Sequence, residues 1–249
     1  MNSNQNSTKE DRSSTSPNQP SRWATEAYPD YRSEVVQSIG FSGLEQDFFT
    51  KGKADVLLRL LPRLGHHISE AKVLDIGCGI GLIHHHLAAS GLKITGVDIS
   101  EKAIAQARDA NPAASYLHYD QTRLPFPDET FDVAWTICVM HHVQPPERSH
   151  FLAEARRILR KGGHLLIFEH NPWNPLTRLA VSRCAFDHDA VLISAGRLRK
   201  LLSKAGFRGL GQQFIFFTPF SAPIVQRIES CLRAFPLGAQ YVSVAQRAD

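Results

Sequence analysis

The chain has 249 residues, 43% hydrophobic and 21% charged, with a formal net charge of +4. That is ordinary for a soluble globule, one α/β domain or a domain with a small addition. Acids and bases are interspersed rather than gathered into a basic stripe, which argues against nucleic acid as a partner. No apolar run approaches the ~20 residues that cross a bilayer, and the N-terminus has no apolar secretion core. Cys78, Cys138, Cys184 and Cys231 are far apart with no C-x-x-C, so they read as reduced thiols of a cytoplasmic protein rather than a disulfide frame or a zinc site.

Residues 1–22 are rich in Ser, Asn, Gln, Thr and Pro and lack large apolar side chains, the composition of a disordered tail. Trp23, Tyr28 and Tyr31 follow and read equally well as a lid or as simple packing. From Leu44 to Leu64 the apolar residues recur at helical spacing, with Pro62 near the end. The order is then regular. Strand 72–77 is followed by a helix over about 80–90, stopped by Gly91. Strand 93–98 leads to a helix over 101–109, capped by Ser100. Strands over 115–119 and 131–137 precede a helix over about 146–160, and Gly162-Gly163 turns the chain into a strand over 164–169. Alternating strands and helices predict a parallel sheet. Residues 171–193 read as a long connection, 194–205 as a helix capped by Ser194, and 212–217 and 240–245 as two more strands. Between those strands, Ile224, Val225, Ile228, Cys231, Leu232 and Phe235 make one helical stripe.

The stretch Lys72 to Leu82 organises the rest. Asp75, Gly77, Gly79 and Gly81 stand at alternate positions between a strand and a helix, where glycine lets backbone approach a ligand. The dinucleotide pattern G-x-G-x-x-G is not met, because its third position is Leu82. Asp75 would repel a pyrophosphate but can hold a cationic amine. Asp98, at the tip of the second strand, can take both hydroxyls of a ribose. A ligand with an ammonium group, a carboxylate and a ribose suits these residues, and S-adenosylmethionine has all three.

These residues resemble the class I S-adenosylmethionine-dependent methyltransferases, within them the ubiquinone- and menaquinone-biosynthesis type. Asp75-x-Gly77-x-Gly79-x-Gly81 matches the family's first motif and Asp98 its second. Asp120-Gln121 matches the third, and Phe131 to Ala134 with Met140 to Val143 the fourth. The resemblance covers roughly residues 45–247. It implies a Rossmann-like, doubly wound, seven-stranded, mostly parallel sheet with an antiparallel last strand, in a domain over 23–249. It also implies S-adenosyl-L-methionine as cofactor. Asp75, Gly77, Cys78, Gly79 and Gly81 would hold its methionine part, Asp98 and Ile99 the ribose, and Asp120 and Gln121 the adenine, with Cys138 lining the far side. The competing readings are a non-catalytic protein or an NAD or nucleotide-sugar binder on a related fold.

Methyl transfer from a sulfonium needs alignment and a dry pocket, plus a base where the acceptor must lose a proton. It demands no metal. The acceptor crevice lies outside the ends of strands one, four and five. His141 and His142 after strand four, and Glu169-His170-Asn171 after strand five, fall there; His142 and His170 are the candidate catalytic residues. His84-His85-His86 point in different directions on a helix and read as surface or partly buried. Segments 171–193 and 218–238 are expected to form substrate or cover elements, with Trp173 and Arg178 in the acceptor pocket. The acceptor is expected to be a small molecule, with an apolar or lipid-linked hydroxyl compound as the candidate class. The apolar tract Phe214 to Phe220 leaves room for peripheral membrane contact. The oligomeric state is not legible.

Overall fold

The structure is a computed structural model and describes residues 46–218 and 231–248. Its strands are β1 (Lys72–Ile76), β2 (Lys93–Asp98), β3 (Ser115–His118), β4 (Phe131–Ile137), β5 (Leu159–His170), β6 (Phe207–Ile215) and β7 (Gln240–Arg247). They form one sheet in the order β3-β2-β1-β4-β5-β7-β6. β7 runs antiparallel to both neighbours, and the pairs within β3-β2-β1-β4-β5 are parallel. The strand order reverses between β1 and β4, and a doubly wound sheet opens its crevice at that switch point.

The helices are α1 (Gln46–Arg63), α2 (Leu82–Leu87), α3 (Glu101–Ala110), α4 (Arg148–Ile158), α5 (Pro175–Arg183) and α6 (Ala195–Lys204). Alternate strand residues feed two cores, as the period of a strand requires. Leu74, Ile76, Ala134, Leu165 and Ile167 pack with Leu152, Ala155 and Ile158 of α4 and Leu198 and Leu202 of α6. Val73, Val133, Trp135, Leu166 and Phe168 pack with Leu57, Leu60 and Leu61 of α1 and Ile83 and Leu87 of α2. Each fully buried aliphatic or aromatic side chain contributes about 1.5–3 kcal/mol of transfer free energy.

The expected caps form. Ser100 Oγ accepts from the Ala103 N–H at 3.2 Å, and Ser194 Oγ from the Arg197 N–H at 3.4 Å. Three expectations change. The connection 171–193 contains α5, because Asn174 caps it by accepting from the Thr177 N–H at 3.0 Å and Pro175 fills its first turn. β6 begins at Phe207, five residues before the expected start; an irregularity between Arg208 and Gly211, with Gly209 at φ 59°, lets it pair with β7 through the glycines that look like breakers. β5 begins at Leu159, with a register shift between the partners of Phe131 and Val133. The tail 1–22, the aromatics Trp23, Tyr28 and Tyr31, and most of the 224–235 stripe lie outside the described residues.

Candidate active site

The turn after β1 is pinned to β2. The N–H groups of Gly77 and Cys78 both donate to Val97 O, at 2.8 and 3.0 Å. Gly77 has φ 77°, and a Cβ there would lie 2.6 Å from Val139 Cγ2. Gly79 has φ 53°, and nothing stands within 4 Å of a Cβ built on it. The loop therefore packs closely on one side and opens on the other. Gly81, φ 71°, starts α2. That helix is only six residues long, so a ligand here relies on loop backbone and carboxylates more than on a helix dipole.

Asp98 closes the loop from the tip of β2. Its Oδ2 accepts from the Gly79 N–H at 2.7 Å and its Oδ1 from the Ser100 N–H at 2.9 Å. Burial pushes this carboxyl up, against the pull of those backbone donors. Each oxygen keeps a lone pair for a hydroxyl. Ile99 follows it, and its carbonyl meets His118 Nε2 at 3.1 Å.

Asp75 differs from expectation in its surroundings. It is only 2% exposed, and its Oδ2 lies 2.9 Å from Nε2 of His84, also 2% exposed. The other ring nitrogen of His84 lies 2.5 Å from the Tyr116 hydroxyl. Of the three histidines expected at the surface or partly buried, His84 is fully buried, His85 is exposed, and His86 reaches Asp47 at 3.0 Å. Asp75 Oδ1 is buried and has no partner among the described residues. The Cys78 thiol is pushed well up, first by burial and then by Asp75 and Asp98, so it stays protonated and chemically quiet.

Asp120 and Gln121 lie beyond β3 and are exposed. Asp120 Oδ1 accepts from Thr122 N at 3.0 Å and Thr122 Oγ1 at 2.6 Å; the Thr122 hydroxyl holds the carboxyl low. Gln121 takes φ 68°, turning the chain at the rim of the crevice.

Across the crevice, Cys138 ends β4 at φ 57°, an uncommon backbone for a side-chain-bearing residue. Lys53 Nζ of α1 lies 3.7 Å from its sulfur, Gln240 Nε2 lies 4.0 Å away, and His170 hydrogen-bonds it. Burial pushes this thiol up, but Lys53 and His170 outweigh it and bring it down to about 7. Lys53 was not foreseen. The signal was there: it interrupts the apolar stripe of Phe49, Val56, Leu57 and Leu60, where a cation needs a reason to be buried.

His141 is fully buried. Its Nδ1 lies 2.6 Å from Glu169 Oε2, while Glu169 Oε1 accepts from the Met140 N–H at 2.8 Å. Its Nε2 lies 3.3 Å from Asp187 Oδ1. Burial favours the neutral ring, but Glu169 and Asp187 overcome it and hold His141 well above its usual value. His142 Nε2 lies 3.4 Å from the same Asp187 oxygen. Burial, then the charge of His141, pull His142 down to about 4. His170, half-buried at the end of β5, stacks 5.1 Å from His141 and meets Gln240 Nε2 at 3.4 Å through Nδ1. Asp187 comes from a 3-10 turn just after α5, in the distinctive 171–193 segment; no role for it was foreseen. Trp173, at 74% exposure, and Arg178 are both exposed; Arg178 lines a cavity of about 500 Å³ together with Asp187, and Trp173 does not.

Two groups thus face each other across the β1/β4 switch point: the loop with Asp75 and Asp98, and the Cys138, His142 and His170 cluster. Residues 74–167 match the methyltransferase domain family. Over those residues the chain carries a methyltransferase domain, and its sheet has the architecture of the class I S-adenosylmethionine-dependent enzymes. It is 38% identical over 103 residues to 27-O-demethylrifamycin SV methyltransferase of Amycolatopsis mediterranei, covering 39% of this chain and 37% of that one. It is 35% identical over 103 residues to 2-methyl-6-phytyl-1,4-hydroquinone methyltransferase of Synechocystis, covering 40% and 32%. The chain spans less than two thirds of the length of the curated relatives it matches. A SAM-dependent methyltransferase structure from Thermotoga maritima shares the fold at TM-score 0.65 and 23% identity, covering 87% of this chain and 96% of that one.

S-adenosylmethionine is the cofactor of this methyltransferase domain. The residues fit it. A buried orphan carboxylate oxygen on Asp75 suits an ammonium, Asp98 suits a vicinal diol, and the open side of Gly79 leaves the loop accessible. Among the described residues, no helix is long and apolar enough to cross a membrane.

Proposed function

We propose that this chain transfers a methyl group from S-adenosylmethionine to a small hydroxylated acceptor bound between the glycine loop and the His170 cluster. The observation that carries the reading is the pairing of the Gly79–Asp98 cradle with a dry, imidazole-rich wall across one crevice. Bound there, S-adenosylmethionine supplies an electrophilic methyl on a sulfonium.

This chain's own residues do the rest. Asp75 Oδ1 and the Gly77–Gly81 loop, including the backbone of Cys78, hold the methionine part. Asp98 and Ile99 take the ribose. Asp120 and Gln121 cover the adenine edge, and Cys138 lines the opposite wall. Holding donor and acceptor in line is the larger part of catalysis, since the displacement needs alignment more than activation. His170 takes the acceptor's proton, its ring held by Gln240 and Cys138. His142, kept neutral, is too weak a base for that task and orients the acceptor instead.

Segment 171–193 supplies the acceptor wall; most of the expected cover over 218–238 lies outside the described residues. The exposed apolar side chains Trp173, Leu176, Leu179, Phe235 and Leu237 support an apolar or lipid-linked acceptor and peripheral contact with a lipid surface. The activities for which the relatives are named, on a rifamycin and a phytyl hydroquinone, point the same way. We place the action in the cytoplasm, without nucleic acid. The test is methyl transfer from labelled cofactor to a panel of phenolic, quinol and macrolactam acceptors. The reading expects turnover that falls at least 100-fold in His170→Asn with cofactor affinity kept. A His170→Asn variant as active as the native chain would remove the base assignment, and no turnover of any acceptor class would count against the acceptor chemistry.

A further inference from the structure

Three ligand atoms converge beside the acceptor wall. His141 Nε2 and His142 Nε2 lie 3.3 and 3.4 Å from the same oxygen, Asp187 Oδ1, and all three atoms lie within 4.8 Å of one another. We propose that His141, His142 and Asp187 bind one divalent transition-metal ion of the zinc class, with Glu169 orienting His141 from behind.

The chemistry of the three atoms argues for a cation. Glu169 Oε2 sits 2.6 Å from His141 Nδ1, which keeps a proton on that nitrogen and aims Nε2 at Asp187, where a metal ion would displace the second proton that the two carboxylates otherwise hold on the ring. A carboxylate–histidine pair of this kind is the usual outer shell of a metal-binding imidazole. Asp187 Oδ1 then faces two imidazole nitrogens, and acceptors facing acceptors need a proton or a metal between them. The distances favour the metal. Charge-assisted N–H···O bonds run at about 2.7–2.9 Å. Ligands at about 2.0–2.1 Å from a tetrahedral zinc stand about 3.3–3.4 Å apart, which is the spacing of the two histidine–aspartate pairs. An octahedral arrangement at the same bond length would bring them to about 3.0 Å, and magnesium prefers an all-oxygen shell.

Three protein ligands leave a fourth position, the pattern of a working rather than a structural zinc. Asp187 also lines the cavity of about 500 Å³, which gives exchange a path. The binding site stands on geometry alone. That its fourth position takes the acceptor oxygen rests on the methyltransferase reading, in which His142 orients the acceptor through the ion while His170 keeps the proton.

The test uses full-length protein without an affinity tag, stripped with chelator and titrated with Co²⁺, a spectroscopic stand-in for zinc. The expected result is one equivalent bound at micromolar affinity or tighter, with the intense visible bands of tetrahedral cobalt, displaced by Zn²⁺. Asp187→Ala and His142→Gln each abolish the bands, Glu169→Gln weakens affinity about 10–100-fold, and His66→Gln, in the separate His66–His164 pair, changes nothing. Asp187 and His142 lie on different elements, and thermal melts of the stripped variants identify any that fail to fold. Absence of tetrahedral bands in the native protein, or bands unchanged in both ligand variants, would overturn the proposal. Titration of the same stripped protein with S-adenosylhomocysteine reports separately on the methyltransferase reading.

Discussion

His84 Nε2 lies 2.9 Å from Asp75 Oδ2, with both side chains buried. The first acid of the loop is thereby tied to the first turn of α2, and the loop's shape depends on a buried ion-pair geometry. Removing the ring strands a buried carboxylate. His84→Leu should cost about 3–5 kcal/mol in urea unfolding, the range for breaking a buried pair. The exposed neighbour change His85→Ala should stay within about 0.5 kcal/mol. Asp75→Asn combined with His84→Leu should recover part of the loss, because the stranded charge is gone.

Gly77 and Gly79 should separate stability from cofactor affinity. Gly77→Ala meets both a left-handed φ and Val139 Cγ2 at 2.6 Å, so it should lower stability by about 2–4 kcal/mol in thermal unfolding. Gly79→Ala meets only the φ penalty, about 1 kcal/mol, but its methyl projects into the open side of the loop. It should unfold almost like the native chain while losing cofactor affinity by tenfold or more in calorimetry. Equal effects of the two changes on affinity and stability would contradict this division.

Stability should fall in mild acid because of His164 on β5. Its ring lies 2.9 Å from His66, and burial, then His66, pull it down to about 4. The unfolded ring titrates near ~6.5, so between these values the unfolded chain binds more protons. The contribution is whole above about pH 6.5 and is lost as pH falls towards 4. His164→Gln should flatten the pH dependence in that window by about 1 kcal/mol, a modest value because its partner His66 is only half-buried. The difference between the two curves isolates His164 from His142, which shifts the same way, and His141, which shifts oppositely.

The Cys138 thiol should ionise near neutrality because of Lys53. Alkylation of the Cys78→Ser, Cys184→Ser, Cys231→Ser background should reach half its maximal rate near pH 7. Lys53→Met removes the cation 3.7 Å away and should move that midpoint up by a unit or more, towards or beyond the free-thiol value of about 8.5. An unmoved midpoint would mean that Lys53 does not set the thiol.

Much of this was legible in the residues. The Asp75 to Gly81 turn, Asp98 at the tip of β2 and the caps at Ser100 and Ser194 are local signals, and local signals survive folding. The long-range partners were not legible. His84 looks like one of three surface or partly buried histidines until β1 and α2 pack it against Asp75. Asp187 lies 45 residues beyond His142 in the numbering and joins it only because α5 and its 3-10 turn fold back over the crevice. α5 itself was hidden because prolines at 172 and 175 read as loop, although Asn174-Pro175 is a helix start. β6 was clipped because Gly209 and Gly211 interrupt its apolar pattern, while the sheet accommodates them at a register shift between Arg208 and Gly211.

The central claim is that the Gly79–Asp98 cradle holds S-adenosylmethionine. Calorimetric titration of the native chain with S-adenosylhomocysteine tests it most directly. The account predicts a single site of micromolar affinity, weakened about 10–100-fold by Asp98→Ala, the scale expected for losing charge-assisted hydrogen bonds to a diol. A native chain that binds no S-adenosylhomocysteine, or binds it equally well without the Asp98 carboxylate, would contradict it.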